Sequence, residues 1–414
     1  MFRRIKNIFH LINAFIAVIY YRFPARGLRI IGITGTSGKT TTTHIIYDIL
    51  RNAGLRVSMI STVKAIINNK NYDTGFHVTT PSPFILQKFL REAADGASKI
   101  AIIEVTSHAL DQNRIFGIPV EIAVITNISH EHLDYHLTLN NYRNIKAKIM
   151  NGAKYVILNK DDRNYDFLKN KAKGKTIGFS LNKLSDVNIV DHIHNINLPG
   201  KYNQYNILAS KAVAVILGVP EKVIESSILD FQAIPGRMEE VKTNRSYKVI
   251  IDFAHKPDAL EQVLIASKKM VKNNLIVVFG CAGLRDRQKR SMMGEIAIKL
   301  ADYVVLTAED PRTEDVRKII NEISTGCIKA GGIIAKRSDI QKNILNKKRK
   351  YYWQIPDRQE AINFVLRNLA SKGDLILICG KGHEKSMCYG KVEYPWDERK
   401  AIEKALYGSV KTTS

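Results

Sequence analysis

Short apolar runs alternate with longer stretches in which apolar residues recur at helical spacing. From Leu28 onward the runs are rich in β-branched residues; the first set reads LRIIGIT, RVSMIST, KIAIIEVT, EIAVITNI and KYVILN. A second set begins near residue 245 and reads YKVIIDFAH, LIVVFG, DYVVLTA and DLILICG, with helical stretches at 258–271 and 314–323. This alternation is typical of an α/β protein and predicts mostly parallel sheets covered by helices on both faces.

The two sets of strands predict two domains. We expect a central domain over residues 28–240 and a Rossmann-like C-terminal α/β domain over residues 241–414, with AIPGRMEE near the boundary. Residues 1–27 differ, because a basic start is followed by an apolar run over residues 8–21. The run is shorter than the roughly 20 residues of a spanning helix, and no small-residue cleavage site follows it. We expect a short apolar helix, either at a membrane interface or docked on the protein's own core.

Charge and cysteine content narrow the class of protein. The 414 residues carry a formal charge of +24, from 63 Lys and Arg against 39 Asp and Glu. This excess favours an anionic partner: a phosphorylated substrate, a nucleic acid or an anionic membrane surface. Four scattered cysteines form no C-x-x-C pair, which argues against a disulfide framework or a zinc ribbon and indicates a reduced, cytoplasmic interior.

The stretch GITGTSGKTTTTHII predicts a phosphate-binding loop. An apolar strand ends at Ile33, where the common G-x-x-x-x-G-K-[ST] loop has glycine, and Lys39 then opens a helix. The backbone N–H groups of small residues and the helix N-terminus together favour anions. We expect ATP to bind to a run of seven residues: Gly35, Thr36, Ser37, Gly38, Lys39, Thr40 and Thr41.

Acidic and histidine residues follow two further predicted strands. Glu104 ends the strand of IIEVTSHALDQNR, and a buried carboxylate is costly unless it is paired or binds a cation. The segment TNISHEHLDYH adds a group of acids and histidines after the next strand: His130, Glu131, His132, Asp134 and His136. Ligands of this kind, at the carboxyl ends of parallel strands, suit Mg²⁺ that bridges ATP to a second anion. The alternative is a set of satisfied loop histidines.

Eight strings in order carry a resemblance to a known family. They are GITGTSGKTTT, EVTSHALDQNR, TNISHEHLDYH, PGRMEEV, DFAHKPDAL, VFGCAGLRDRQKR, TAEDPRTED and GKGHE. In order and approximate spacing the chain resembles the Mur ligases, and within them the tripeptide synthetase branch, MurE, over about residues 28–408. The family's own phosphate loop has glycine at the position of Gly32, so Ile33 is no longer anomalous.

The resemblance implies a role for each matching residue. Lys39 would bind phosphate, Thr40 and Glu104 one Mg²⁺, and His132 with Lys146, carbamylated in the family, a second Mg²⁺. Nucleotide contacts would come from Asn203, Asn206, Arg237 and Asp252. The acceptor peptide would meet Thr79, Thr80, Ser107 and Arg114. The added amino acid would meet Asp310, Arg312, Gly380 and Glu384. The catalytic set would be Lys39, Glu104, His132, Lys146 and Arg237.

The resemblance also implies a reaction. A substrate carboxylate attacks the γ-phosphate of ATP, and an incoming amine then displaces phosphate from the acyl phosphate to leave an amide. The acceptor would be UDP-MurNAc-L-Ala-D-Glu or a similar muramyl dipeptide, in peptidoglycan precursor synthesis. Arg312 favours meso-diaminopimelate over L-lysine, because arginine pairs bidentately with a distal carboxylate. Asp310 stands where the family has asparagine.

Several alternatives stay open. The resemblance leads us to expect residues 1–27 in place of the family's N-terminal UDP-binding domain. A lipid-linked or other acceptor is therefore an alternative, as in MurT-type or folylpolyglutamate-synthase-type ligases. Residues 1–23 would then contact the inner face of the membrane. A nucleic-acid-binding P-loop ATPase and a non-catalytic scaffold are alternatives of other classes. We expect a cytoplasmic monomer that binds small-molecule substrates and no nucleic acid.

Overall fold

The structure is a computed structural model of the chain. It describes residues 2–73, 79–129, 133–187, 198–341, 346 and 348–408. The chain divides into two compact units, the first reaching to Gln232 and the second running from Ala233, with residues 198–200 grouped with the second. Within the described residues, no helix is long and apolar enough to cross a membrane.

The first unit is built on an eight-stranded sheet of order β4-β3-β2-β5-β1-β6-β7-β8. Its strands are β1 Arg29–Thr34, β2 Val57–Ile60, β3 Ala65–Ile67, β4 Lys70–Tyr72, β5 Ile100–Glu104, β6 Val120–Ile125, β7 Tyr155–Asn159 and β8 Lys175–Phe179. Only the β2–β3–β4 pairings among these are antiparallel. The central strands are mostly apolar, as the sequence predicts for strands that helices cover on both faces, and their charged residues lie at or near the strand ends.

Nine helices of the first unit are described. They are α1 Phe2–Tyr20, α2 Lys39–Asn52, α3 Pro83–Asp95, α4 Ser107–Asp111, α5 Leu133–His136, α6 Leu139–Ala147, α7 Tyr165–Lys171, α8 Lys201–Ile216 and α9 Glu221–Leu229. Side-chain caps fix two of the starts, since the Thr106 hydroxyl accepts from the Ala109 N–H and the Thr138 hydroxyl from the Asn141 N–H. Central strand β1 lies between β5 and β6, so their carboxyl ends meet at one edge of the sheet.

The second unit has a seven-stranded sheet of order β13-β14-β12-β11-β15-β10-β9 and a separate two-stranded ribbon. The strands are β9 Glu239–Val241, β10 Lys248–Asp252, β11 Leu275–Phe279, β12 Tyr303–Leu306, β13 Ile333–Ile334, β14 Tyr351–Gln354, β15 Leu375–Cys379, β16 Ser386–Tyr389 and β17 Val392–Pro395. The helices are α10 Pro257–Lys268, α11 Gln288–Leu300, α12 Val316–Lys329, α13 Arg337–Gln341, α14 Arg358–Phe364 and α15 Glu398–Tyr407. In the large sheet only β9 is antiparallel to its neighbour.

All nine predicted strands are present within three residues of their expected bounds. The sequence did not predict the β3–β4 hairpin, β8, β9, β13, β14 or the β16–β17 ribbon. These elements are two to five residues long and most are polar or partly exposed, so they lack the long apolar run that marks a buried strand. They are the outermost one or two strands at the edges of the sheets, or they form the ribbon.

A buried ion pair ties two strand ends of the second unit together. Arg358 and Glu398 are each 1% exposed and form a bidentate pair. The same guanidinium donates to the carbonyl oxygens of Ala308, 3.0 Å away after β12, and Cys379, 2.7 Å away at the end of β15. One side chain therefore fixes the two loops that carry Asp310 and Gly380.

Replacing Arg358 tests how much this pair contributes. We expect Arg358→Met to lower the free energy of unfolding by about 3–5 kcal/mol, because it leaves the Glu398 carboxylate buried without its partner. The measurement is urea denaturation followed by circular dichroism. Arg337→Met is the matched control, since its pair with Glu360 is more than half exposed on both sides and should cost under about 1 kcal/mol. Equal losses for the two variants would contradict the assignment.

Candidate active site

Two glycines give the loop after β1 its shape. Gly35 has φ 155° and Gly38 has φ 83°, and the second residue caps α2 in the left-handed conformation. A Cβ at Gly35 would lie 1.9 Å from the Thr126 hydroxyl, and one at Gly38 would lie 2.2 Å from the Asn206 carboxamide oxygen. No larger residue fits at either position, so the chain passes close to its neighbours here.

The loop presents positive charge to the start of α2. The Lys39 ammonium donates to the carbonyl oxygens of Gly35, at 2.9 Å, and Thr36, at 3.2 Å. Gly38, the cap residue of α2, has no side chain that could accept from the first N–H groups of the helix. A cradle of N–H groups with a lysine across it fits the phosphates of a nucleotide.

Residues after β6 hold the loop in place, and sequence reasoning had assigned them no role. The Asn127 side chain accepts from the Ser37 N–H at 3.0 Å and donates to the Ser37 carbonyl at 3.0 Å. The Thr126 hydroxyl donates to the same carbonyl at 2.7 Å. Their signal is the Thr-Asn pair directly after an apolar strand that neighbours β1.

Glu104 lies at the carboxyl end of β5, next to the loop. Its carboxylate is 1% exposed and accepts from the Thr40 hydroxyl at 3.1 Å. It also accepts from the N–H and the hydroxyl of Thr62, both at 2.9 Å. Within the described residues every hydrogen-bond donor to this carboxylate is neutral. A buried anion ringed by hydroxyl oxygens fits a hard cation such as Mg²⁺. Thr62 was not predicted; its signal is a hydroxyl residue just after β2, beside β5.

Lys146 approaches the loop from α6. Its ammonium is 1% exposed, donates to the Gly35 carbonyl at 2.7 Å and lies 4.8 Å from the centre of the Tyr142 ring. A solvated helix face is therefore not its environment. His132 lies outside the described residues, as do His130 and Glu131. Over the ranges that the structure describes, no cluster of three His, Cys, Asp or Glu side chains could hold a metal.

The two asparagines predicted to lie near the base are together on α8. Asn206 donates to the Asn203 carboxamide oxygen at 3.1 Å, and both side chains are buried. The Asn206 oxygen also lies 3.4 Å from the Thr42 hydroxyl of α2. The structure thus brings Asn206 beside the phosphate loop, although the two are distant in the sequence.

The predicted acceptor residues also cluster near the end of β5. The Thr80 hydroxyl donates to the Glu104 carbonyl at 3.0 Å, and the Thr79 hydroxyl lies 3.1 Å from that of Thr62. Ser107 opens α4, and its hydroxyl lies 3.0 Å from the Nε2 atom of His136.

Arg114 completes this group and carries its positive charge. Its guanidinium donates to the Thr80 carbonyl at 2.7 Å and to the Gln112 side chain, and no described carboxylate pairs with it. Burial lowers the pKa of Arg114. A half-buried cation without an anionic partner suits a carboxylate or phosphate of the acceptor.

In the second unit, Asp252 ends β10 and orders the segment that contains Arg237. Its carboxylate accepts from the N–H groups of Met238 and Ala254, both at 2.8 Å. Burial raises the pKa of Asp252, while the nearby Arg237 and these N–H groups lower it. The Arg237 guanidinium lies 4.7 Å from the centre of the Phe253 ring.

The residues predicted to bind the amino acid surround a buried lysine. Lys381 is fully buried and pairs with Asp310 at 2.8 Å and Glu384 at 2.6 Å. The Asp310 carboxylate also accepts from the Cys388 N–H at 3.0 Å. Asp310 therefore serves as the partner of a buried cation, a role that an asparagine could fill only as a neutral acceptor. Sequence reasoning assigned no role to Lys381, although it lies within the GKGHE string.

Arg312 and Gly380 flank this cluster. Arg312 has φ 55°, its backbone bridges to Tyr389 of the ribbon, and within the described part its guanidinium has no hydrogen bond or ion pair. A Cβ at Gly380 would lie 3.3 Å from Glu309. Burial raises the pKa of Glu309 to about 7, against the opposing effects of Lys289 and Lys381. The charge of this pocket is thus sensitive to pH near neutrality.

Comparison with known proteins matches both units. The Mur ligase middle domain matches residues 33–214, and the Mur ligase glutamate ligase domain matches residues 236–382. A UDP-N-acetylmuramoyl-L-alanyl-D-glutamate--2,6-diaminopimelate ligase of Clostridium botulinum is 34% identical over 94% of this chain and 80% of its own length. A ligase of the same name from Geobacillus thermodenitrificans is 33% identical over 95% of this chain and 82% of its own length.

Solved structures agree with the sequence comparison. A structure of a UDP-N-acetylmuramoyl-L-alanyl-D-glutamate--2,6-diaminopimelate ligase is 30% identical, with a TM-score of 0.59 over 92% of this chain and 78% of that one. E. coli FolC in complex with DHPP and ADP has a TM-score of 0.68 over 89% of each chain, at 18% identity, and so shows the fold alone. Two matching domains and relatives that align along most of the chain place it without ambiguity: it belongs to the Mur ligases, a family of ATP-dependent amide ligases.

Proposed function

We propose that this ligase adds the third amino acid to UDP-MurNAc-L-Ala-D-Glu in peptidoglycan precursor synthesis, with meso-diaminopimelate favoured over L-lysine. The relatives named above are diaminopimelate ligases. The observation that carries the proposal is the buried Glu104 carboxylate, which hydrogen-bonds to Thr40 beside the Lys39 loop. That arrangement suits phosphoryl transfer to a carboxylate, which requires a charged cradle and no covalent enzyme nucleophile.

The residues of the first unit offset charge repulsion in this reaction. Lys39 and the N–H groups at the start of α2 bind the phosphates, and Arg114 orients the acceptor. Glu104 and Thr40 would hold Mg²⁺, which would supply positive charge to offset the repulsion between the two anions. Asn203 and Asn206 support the nucleotide, and in the second unit Arg237 and Asp252 are proposed to bind its phosphates and ribose.

A second Mg²⁺ and a carbamate on Lys146 are finer parts of the proposal. Lys146 is buried and its ammonium lies 2.7 Å from a loop carbonyl rather than in water. A carbamate at this nitrogen replaces a cation with an anionic oxygen pair, which is a ligand type that Mg²⁺ prefers. His132 is proposed as a further ligand of the same ion.

The second unit supports the choice of amine. Arg312 offers a guanidinium that no described carboxylate engages, which suits a distal carboxylate of the incoming amino acid. Glu384, paired with Lys381, and the adjacent Gly380 suit its ammonium group. Asp310 accepts from Lys381, so it orders the pocket as a partner of that lysine.

A lipid-linked muramyl peptide is a second candidate acceptor. The observation that favours it is the outward apolar face of α1, which adjoins the same unit as the phosphate loop. A protein held at the inner face of the membrane would meet such acceptors there. In either case we propose a cytoplasmic monomer that acts on small molecules.

The reaction itself is tested by phosphate release. With UDP-MurNAc-L-Ala-D-Glu, we expect ATP-dependent release to be stimulated by meso-diaminopimelate, less by L-lysine and not without an amine. Mass spectrometry of the product should give the tripeptide. Release with no amine preference, or a product that lacks the added residue, would contradict the proposal. If no phosphate is released with the UDP-linked acceptor but a lipid-linked acceptor is turned over, the second candidate is favoured.

Arg312 is expected to set the preference for a distal carboxylate. Arg312→Lys should lower kcat/KM for meso-diaminopimelate by roughly 10- to 100-fold, because lysine cannot make the bidentate pair. Turnover of L-lysine should change little. Arg317→Lys, at an exposed position of α12, is the matched control. An equal loss for both amino acids would place Arg312 outside amine recognition.

We expect the buried Glu104 carboxylate to lower the stability of the fold and to be needed for catalysis. Glu104→Gln should lower kcat by roughly 100-fold or more, as the loss of one charge-stabilising group does in other enzymes, and should raise the Mg²⁺ concentration for half-maximal rate. Its melting temperature should match or exceed that of the parent, since a buried charge is removed. Glu240→Gln, at an exposed position, is the control. Full activity of Glu104→Gln would exclude the metal role.

Lys146 carbamylation predicts dependence on carbon dioxide. Activity should fall in buffer depleted of CO₂ and return when bicarbonate is added, because a carbamate is in equilibrium with CO₂. Lys146→Ala should lose activity and regain part of it with added acetate, which supplies an anionic oxygen pair. The carbamate would be contradicted if the rate did not depend on the CO₂ concentration and acetate did not restore activity to Lys146→Ala. Lys146 would then act as an ammonium group.

A further inference from the structure

Helix α1 packs on the first unit through its smallest side chains. Ala14, Ala17 and Val18 are the buried apolar residues of its described portion. Val18 packs so closely that a Cβ at Gly117 would lie 2.7 Å from it. On the same side, the Asn7 side chain donates to Asp111 of α4 at 3.4 Å. The helix is therefore fastened along its length to the unit.

The opposite side of α1 turns large apolar residues outward. Six of them are between 49% and 69% exposed: Ile8, Phe9, Ile12, Phe15, Ile16 and Ile19. Their spacing of three and four residues places them on one broad face of the helix. This inverts the usual arrangement, in which the large residues of a surface helix point to the core.

Neighbouring residues extend the apolar face. Phe116 is exposed and its ring centre lies 6.2 Å from that of Phe15. At the end of the helix the ring of Tyr20 lies 6.1 Å from that of Phe84, at the start of α3. Exposed apolar patches of this extent mark interaction sites with proteins or membranes.

The residues that flank the apolar face of α1 are positively charged, which favours an anionic partner. Lys6, Arg22 and Arg26 are exposed, and none pairs with a carboxylate of the described residues. The sequence has no Asp or Glu before Asp48. Arg26 lies over the ring of Phe23 at 4.3 Å, an arginine and aromatic pair suited to the headgroup region of a bilayer.

We propose that α1 docks the protein on an anionic phospholipid bilayer, with its axis parallel to the membrane and its large apolar face among the acyl chains. Acyl chains adapt to the surface that a single helix presents. The flanking cations meet the negative headgroups. The rest of the first unit stays in water, because it packs against the opposite side of α1. Docking is independent of which acceptor the ligase uses.

Flotation of the full chain with vesicles tests the proposal. Vesicles of phosphatidylcholine with phosphatidylglycerol should carry the protein to the top of the gradient, and vesicles of phosphatidylcholine alone should carry much less. Ile12→Glu with Ile16→Glu should lower the partition coefficient by roughly tenfold or more, as expected from removing two large apolar side chains. Added salt should also lower it.

The control places the same two changes elsewhere. Ile328→Glu with Ile334→Glu alters residues that are 62% and 57% exposed in the second unit, and its flotation should equal that of the parent. Equal flotation of both double variants, or equal binding to neutral vesicles, would overturn the proposal. The proposal would also be overturned if the protein formed a dimer without lipid and the double variant Ile12→Glu with Ile16→Glu were monomeric. Phosphate release, measured without vesicles, separates a failure of docking from a failure of the ligase.

Discussion

Burial of charge at the carboxyl ends of parallel strands is the constraint on which both units depend. An ion removed from water costs several kcal/mol unless other groups satisfy it. Glu104 and Lys146 are buried beside the loop after β1 in the first unit. Arg358 and Lys381 are buried near the strand ends of the second unit. Each must be surrounded by donors or acceptors in fixed positions. The surrounding loops are therefore ordered by electrostatics as much as by apolar packing.

The two units meet this constraint in different ways. In the first, the hydroxyl groups of Thr40 and Thr62 donate to the Glu104 carboxylate, and the Lys146 ammonium donates to the Gly35 carbonyl. In the second, Arg358 and Lys381 have carboxylate partners of their own. The positive charges of Arg358 and Lys381 are therefore neutralised by carboxylates of the second unit itself. Arg312 is partly exposed, and no described carboxylate pairs with it.

The sequence was sufficient for the strands with long apolar runs and for the glycine-containing turn that leads into α2, because both have local signatures. Lys39, Thr40 and Glu104 lie together as their positions after neighbouring strands suggested. Contacts that depend on tertiary structure left little local trace. The Arg358 side chain that joins two strand ends lies in an ordinary helix start, and the short edge strands lack a periodic pattern.

The pairing of Asp310 with Lys381 couples the loop after β12 to the loop after β15. An amide at position 310 would keep the shape of the side chain but leave Lys381 balanced by Glu384 alone. The effect of changing residue 310 therefore depends on what stands at position 384, which is epistasis with a simple electrostatic origin. A change that removes the charge at position 310 would therefore be expected to need a compensating change near Lys381.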